Sequence, residues 1–309
     1  MRAALAVAHL ALLPASLVPQ DVPTFFTTTV EAVYVDVFVT REGRPVAGLA
    51  AGDFEVRDNG VKQEVTLAHL EEVPIVAVLV FDVSSSVAGA RLEDLRAAGR
   101  ALLAGLRPQD EAALVTFSHE LRVVVPQAGD RSAVEHGLDG LDPKGDTALW
   151  DGLYAGLKLP VSRGRPVVVL FTDGQDNVSW LTRDQVHRVA EESEALVYVV
   201  AIAPPPEERP PAGMRGVLVE PRGTGASPLR ALSRLAEATG GRLWPADSSA
   251  QLGRTFLRIL AEMRSRYLLS YGPSGGPREG WHRLKVKVKG HRGTVRSRSG
   301  YFVAPPAGP

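Results

Sequence analysis

Two aspartates, two serines and a threonine carry the chemistry that this chain advertises. Asp82, Ser84 and Ser86 alternate in the stretch Asp82-Val83-Ser84-Ser85-Ser86, directly after an apolar run from Pro74 to Phe81. A carboxylate and two hydroxyls at alternate positions can turn toward one point. If the apolar run is a strand, that point lies beyond its C-terminal end, where open α/β sheets bind ligands. Thr147 stands in Gly145-Asp146-Thr147-Ala148-Leu149, just before a helical pattern. Asp173 stands in Leu170-Phe171-Thr172-Asp173-Gly174, at the end of a second apolar run from Pro166 to Phe171. In a parallel sheet the strand C-termini share one edge, so Asp82 and Asp173 can lie side by side there, within reach of Thr147.

All these donors are hard oxygens. They suit Mg2+, which wants six oxygens in near-octahedral geometry and usually keeps some waters; Mn2+ and Ca2+ are alternatives of the same kind. Two aspartates neutralise the ion formally, while hydroxyls add ligands without adding charge. Such a site stays electrophilic. It can take a carboxylate from another molecule in exchange for a water.

The elements that must position these residues are legible in outline. Continuous apolar runs at Pro74 to Phe81 and Pro166 to Phe171 read as strands buried on both faces. Arg91 to Leu106 has apolar residues at helical spacing. Asp110 to Phe117 and Leu121 to Val125 read as strands, and Ser132 to Leu141 and Thr147 to Leu159 as helices. Thr182 to Ala195 is predicted as a helix with Thr182 as its N-cap. Leu196 to Ala203 is a further strand. Pro228 to Thr239 reads as a helix closed by Gly240-Gly241, followed by a short strand, Arg242 to Trp244, and a helix, Gln251 to Arg264. Alternation of this kind predicts a doubly wound, mostly parallel α/β sheet. Pro204 to Ser227 is rich in Pro, Gly and Arg and reads as a surface loop.

The flanks read differently. Val30 to Val39 alternates as a β-branched strand, and Asp53 to Val61 reads as a strand entering an Asn59-Gly60 turn, with Val65 to Leu70 as the return strand. Tyr267 to Tyr271, Trp281 to Lys289 and Thr294 to Phe302 read as strands. Alternation of Arg283, Lys285, Lys287 and Lys289 with Leu284, Val286 and Val288 makes the basic run a solvated strand face rather than a nucleic-acid site. The predicted organisation is a signal peptide over residues 1–20, a β module over 21–72, the α/β domain over 73–263 and C-terminal strands over 264–309. The two β parts would form a small antiparallel β-sandwich, with the α/β domain inserted between them.

Composition bounds the rest. The chain has 309 residues, 45% hydrophobic and 23% charged, which suits a globular protein with a sizeable core. Lys+Arg and Asp+Glu balance at 35 each, so no global field favours nucleic acid or an anionic membrane. Cysteine is absent, which excludes disulfides, thiolate zinc sites and Cys nucleophiles. Arg2, the apolar run Ala3 to Leu13 and the small residues that follow have the layout of a secretory signal. The run is shorter than the roughly 20 residues a membrane span needs, and no other segment approaches that length.

At Asp82, Ser84, Ser86, Thr147 and Asp173 the sequence resembles the von Willebrand factor A domain, whose metal-ion-dependent adhesion site is built from three such loops. The resemblance covers about residues 73–263. It implies that Asp82, Ser84, Ser86 and Thr147 coordinate the ion, that Asp173 acts through water, and that a partner's Asp or Glu completes the shell. The flanks, with Val33 to Gly60, Arg266 to Tyr271 and Gly300-Tyr301-Phe302, resemble a group of exported, von Willebrand factor A-related proteins abundant in acidobacteria, whose function is largely uncharacterised.

Other chemistry is poorly supported. No Gly-x-Ser-x-Gly elbow surrounds Ser84, Ser85 or Ser86, the seven histidines are scattered, and no His-Glu-x-x-His occurs. Gly223 to Ser227 lacks the end of a phosphate-binding loop. Asp146, Asp151 and Asp176 read as caps, turns or supporting residues, and Trp150 and Tyr154 as core. The expectation is an exported, non-enzymatic, cation-dependent protein-binding protein, periplasmic, cell-surface or secreted. The alternatives are an accessory subunit of a larger complex and a structural envelope protein with a stabilising metal.

Overall fold

The computed structural model describes residues 32–68, 73–128, 131–161, 163–202, 227–246, 249–276, 279–290 and 293–303. The signal segment expected over 1–20, and all but the last residue of the loop expected over Pro204 to Ser227, lie outside the described residues.

The described chain opens with strands β1 (Val33–Arg41), β2 (Arg44–Pro45), β3 (Phe54–Asp58), β4 (Val61–Gln63) and β5 (Thr66–Ala68). Strands and helices then alternate: β6 (Ile75–Asp82), α1 (Ala90–Gly105), β7 (Glu111–Phe117), β8 (Leu121–Ala128), α2 (Arg131–Asp139), α3 (Leu149–Lys158), β9 (Arg165–Thr172), α4 (Arg183–Glu192), β10 (Leu196–Ile202), α5 (Pro228–Ala238), β11 (Arg242–Ala246) and α6 (Ser249–Arg264). Strands β12 (Tyr267–Tyr271), β13 (Gly280–Val288), β14 (Thr294–Arg296) and β15 (Gly300–Val303) follow.

The central sheet runs β11-β10-β9-β6-β7-β8. Its neighbours pair in parallel except for β8, which is antiparallel to β7. Every residue of β6 is buried, because each face of the sheet has its own helical cover. Ile75, Ala77, Leu79 and Phe81 pack with residues of α1, α2 and α6. Val76, Val78 and Val80 pack with residues of α3, α4 and α5. Phe81 sits 6.0 Å from Phe171 and 6.3 Å from Phe256, ring to ring, so the two central strands and α6 share one aromatic contact near the site edge. Truncating a wholly buried side chain here, such as Leu79→Ala, would cost about 2–5 kcal/mol. Phe81 lies opposite Phe171, so β6 and β9 end side by side. Thr182 caps α4 as predicted: its hydroxyl accepts from the Gln185 N–H, and the Gln185 side chain accepts from the Thr182 N–H.

The flanking strands form two antiparallel sheets, β14-β1-β12-β5 with β2 on β1, and β15-β13-β3-β4. Both mix residues from before and after the α/β segment. Val35, Val37, Val39 and Leu269 of one share an apolar cluster with Phe54, Val56 and Leu284 of the other. Two sequence expectations are corrected here. The partner that returns along β3 is β4, not Val65 to Leu70. Asn59 (φ 46°) and Gly60 (φ 87°) are both left-handed, the backbone of the tightest hairpin turn, so Val61 pairs at once with Asp58. The amide of Gln63 then exchanges hydrogen bonds with the Ser274 backbone, and the chain crosses to pair β5 with β12. Thr294 to Phe302 is two strands, β14 on β1 and β15 on β13. The break is made by tertiary partners: Ser299 N–H donates to the Ala238 carbonyl at 2.9 Å, and Arg298 to the carbonyls of Glu191 and Ser193.

Candidate metal centre

Three loops meet at the C-terminal edge of β6 and β9. Asp82 ends β6 and is fully buried. Its Oδ1 accepts from the Ser84 N–H at 3.0 Å and its Oδ2 from the Thr172 hydroxyl at 3.1 Å. Ser84 is also buried, Ser86 is exposed, and their hydroxyl oxygens lie 3.1 Å apart. The chain between them turns through a single 3-10 turn, Ser85–Val87, which the buried Val87 pins to the core.

The second loop is strapped to the first. Lys144 N–H donates to the Val83 carbonyl at 2.9 Å, and Ser85 N–H to the Gly145 carbonyl at 3.0 Å. Gly145 is left-handed (φ 71°), and a Cβ there would lie 1.8 Å from the His119 ring as it stands, so this position favours glycine. Thr147 is buried two residues ahead of α3, not in its first turn as the sequence suggested. Ala148, which is tied to the Ser118 carbonyl, takes the cap position instead.

The third loop is strapped to the second. The Thr147 carbonyl accepts from Asn177 N–H at 2.9 Å and Val178 N–H at 3.2 Å. Asp176 accepts from the Leu149 N–H at 3.0 Å, and Asp151 from the Trp180 and Leu181 N–H groups at 2.9 Å. These aspartates are therefore braces, as the sequence suggested. Asp173 is half-buried, and its carboxylate accepts from the backbone and side chain of Gln175 within its own loop. Asp82, Ser84 and Ser86 thus share one loop, Thr147 is stitched to it through Gly145, and Asp173 follows the strand end beside Asp82. Sequence reasoning missed Thr172, whose hydroxyl reaches Asp82 while also accepting from the Gly174 N–H at 3.0 Å. Its place immediately before Asp173 was the available signal.

The electrostatics fit a cation. Burial pushes the Asp82 carboxyl up from 3.8 to about 6; the nearby Asp173 charge adds to this, while hydrogen bonds from Ser84 and Thr172 oppose it. Its hydrogen-bond partners are neutral, so no basic side chain among them supplies a counter-charge. A hard cation would supply that charge, and the adjoining hydroxyls are suitable further oxygens. Among the described residues no group of three or more His, Cys, Asp or Glu side chains could hold a metal, so this donor set is poor in anionic ligands.

Residues 77–175 match the family model described as von Willebrand factor type A domain. The chain is 31% identical over 118 residues to a UPF0353 protein of Mycolicibacterium paratuberculosis, covering 33% of this chain and 35% of that protein. It is 27% identical over 114 residues to an uncharacterized protein of Synechocystis, covering 35% of this chain and 27% of that protein. The chain thus spans about a third of the curated relatives it matches. Among solved structures, a von Willebrand factor type A protein of Catenulispora acidiphila matches with a TM-score of 0.49 at 15% identity, over 89% of this chain and 74% of that one. The von Willebrand factor domain of the pilus tip protein Mfa5 from Porphyromonas gingivalis matches with a TM-score of 0.46 at 14% identity, over 66% of this chain and 98% of that one.

Proposed function

We propose that this protein is an exported, non-catalytic binding protein that holds a divalent cation, Mg2+ first, and uses it to capture a partner protein. Asp82, Ser84, Ser86 and Thr147 hold the ion, and Asp173 orients a water beside it, an intact adhesion-type site. When bound, the ion supplies a Lewis-acidic position that a partner's Asp or Glu carboxylate occupies. The observation that carries this reading is the buried Asp82 carboxylate, hydrogen-bonded only to neutral donors and followed by the paired hydroxyls of Ser84 and Ser86. The protein's own residues orient that oxygen set before any partner arrives, because Gly145, Thr147 and Asp176 tie the loops together.

Export rests on the signal-like segment at residues 1–20. No helix of the described residues is long and apolar enough to cross a membrane. The architecture we infer is a doubly wound α/β domain carried between two halves of a β-sandwich, as in the exported acidobacterial group. Calorimetry with Mg2+ on the full chain tests the site, and chelation tests its use. Capture of a partner from the native envelope fraction should be lost in EDTA and restored by Mg2+. Capture that survives EDTA unchanged would overturn the adhesion mechanism.

A further inference from the structure

Trp180 is 94% exposed, yet the backbone that carries it is fixed. Its own N–H and that of Leu181 donate to the Asp151 carboxylate. Ser179 before it accepts from the Trp150 N–H at 2.9 Å and donates to Asp176. Thr182 after it caps α4. An indole held out from such a backbone is a pre-positioned apolar anchor, for which little ordering cost remains on binding. Val178, 38% exposed, adds apolar surface two residues away.

A groove of about 670 Å3 is lined by residues bonded to this segment or directly following it. Trp150, which Ser179 holds, lines it, as does Arg183, the residue after the Thr182 cap. Arg188 and Arg234 line it from α4 and α5. Asp184 is its carboxylate, 3.6 Å from Arg183. Arg188 and Arg234 are exposed and make no ion pair among the described residues. The groove therefore carries surplus positive charge on a chain whose formal charges balance overall. The segment from Asp173 to Thr182 starts at the candidate metal centre, passes Trp180 and ends at this groove.

We infer that centre, Trp180 and groove form one docking surface for an acidic segment of a partner protein. One carboxylate lies at the cation, an aromatic or branched apolar residue packs on Trp180, and further carboxylates lie near Arg188 and Arg234. The inference deepens the cation-dependent binding reading and rests on it.

Defined peptides test it. Each is about twelve residues long, enough to span roughly 40 Å when extended. One is glutamate-rich with a central Phe, one replaces that Phe with Ala, and one replaces every Glu with Gln. Binding to the full chain is read by fluorescence polarisation in Mg2+ and in EDTA, with Mg2+ calorimetry on each variant as a check that the loops are intact. The glutamate peptide should bind in preference to the glutamine one. Trp180→Ala should weaken the Phe-bearing peptide by about fivefold or more, and the Ala-bearing one by less. Arg188→Glu with Arg234→Glu should remove the preference for glutamate. EDTA-sensitive binding that neither variant changes would overturn the docking surface while leaving the cation reading intact. Binding that responds to both variants but not to EDTA would sink the cation reading and overturn the centre's place in the surface, leaving Trp180 and the groove as the docking site. No preference for the acidic peptide, including no binding by either, overturns the inference.

Discussion

The hydroxyl of Thr172 donates to Oδ2 of Asp82 across 3.1 Å, joining the ends of the two central strands at the candidate metal centre. This bond favours the ionised carboxylate and fixes its plane, so it would act on a bound cation through Asp82. Thr172→Val keeps the shape and removes the donor. It should push the Asp82 carboxyl further up and weaken Mg2+ binding by about tenfold, the scale of lost support behind a ligand. Calorimetry across a pH series reads both effects. An unchanged affinity at every pH would make Thr172 a packing residue only.

Asp82→Ala should abolish Mg2+ binding while the sheet stays folded, because Asp82 is the last residue of β6 and pairs with β7 through its backbone, not its carboxylate. Mg2+ should raise the unfolding temperature of the wild type and not of the variant. Undiminished Mg2+ affinity in the variant would show that the ion binds elsewhere.

The raised Asp82 pKa gives stability a pH dependence with a definite sign. The folded, metal-free carboxyl holds its proton to about 6 against an ordinary value of 3.8, so the folded state binds more protons across that window. Metal-free stability contributed by this group is therefore present at low pH and lost as pH rises from about 4 to about 6. Mg2+ competes with that proton, so its affinity should climb with pH and level off above about 6. Denaturant titrations with EDTA or Mg2+ at stepped pH should show the two trends diverging. Parallel curves would count against Asp82 as the group responsible.

Much of this was legible because burial writes itself into composition. Pro74 to Phe81 and Pro166 to Phe171 are apolar at nearly every position since both faces of β6 and β9 are covered, and their polar ends then stand out. What alternation cannot show is which sheet a strand joins. Thr294 to Phe302 reads as one strand because the ties of Arg298 and Ser299 to the ends of α4 and α5 are distant contacts. Thr66–Ala68 pairs with β12 rather than with β3 because the Asn59-Gly60 turn had already placed Val61. Thr172 left only its place before Asp173, since it acts through a neighbouring strand, and Trp180 left no pattern, since it matters by where the loop holds it.

Gly145 couples backbone conformation to the site. Ala at this position must accept a left-handed φ and displace the His119 ring, which is partly exposed and can swing away. The residual cost of Gly145→Ala is then about 1–2 kcal/mol from the backbone. Its carbonyl accepts from Ser85 N–H, and Thr147 follows two residues on, so the same change should lower Mg2+ affinity. A variant that is destabilised but binds Mg2+ normally would show that the second loop contributes nothing to the ion.

Far from that edge, Arg266 is buried with its guanidinium donating to the Gly240 carbonyl at 2.8 Å and to Tyr198 Oη and Glu262 Oε1, each at 3.1 Å. Glu262 also receives Arg296 and the Tyr198 hydroxyl. The cluster joins α6, β10 and β14 beside β1, whose Asp36 pairs with Arg165. Buried ion pairs add little net stability, because desolvation offsets their attraction, but removing one partner strands the other. Arg266→Met should therefore cost about 3–5 kcal/mol, with part of that cost recovered when Glu262→Gln is added. Mg2+ affinity of the folded fraction should not change, since the cluster lies at the other end of the strands. Chemical denaturation of the single and double variants reads the coupling. Strictly additive losses would show that Arg266 acts through its contacts with Gly240 and the packing around it, independently of Glu262.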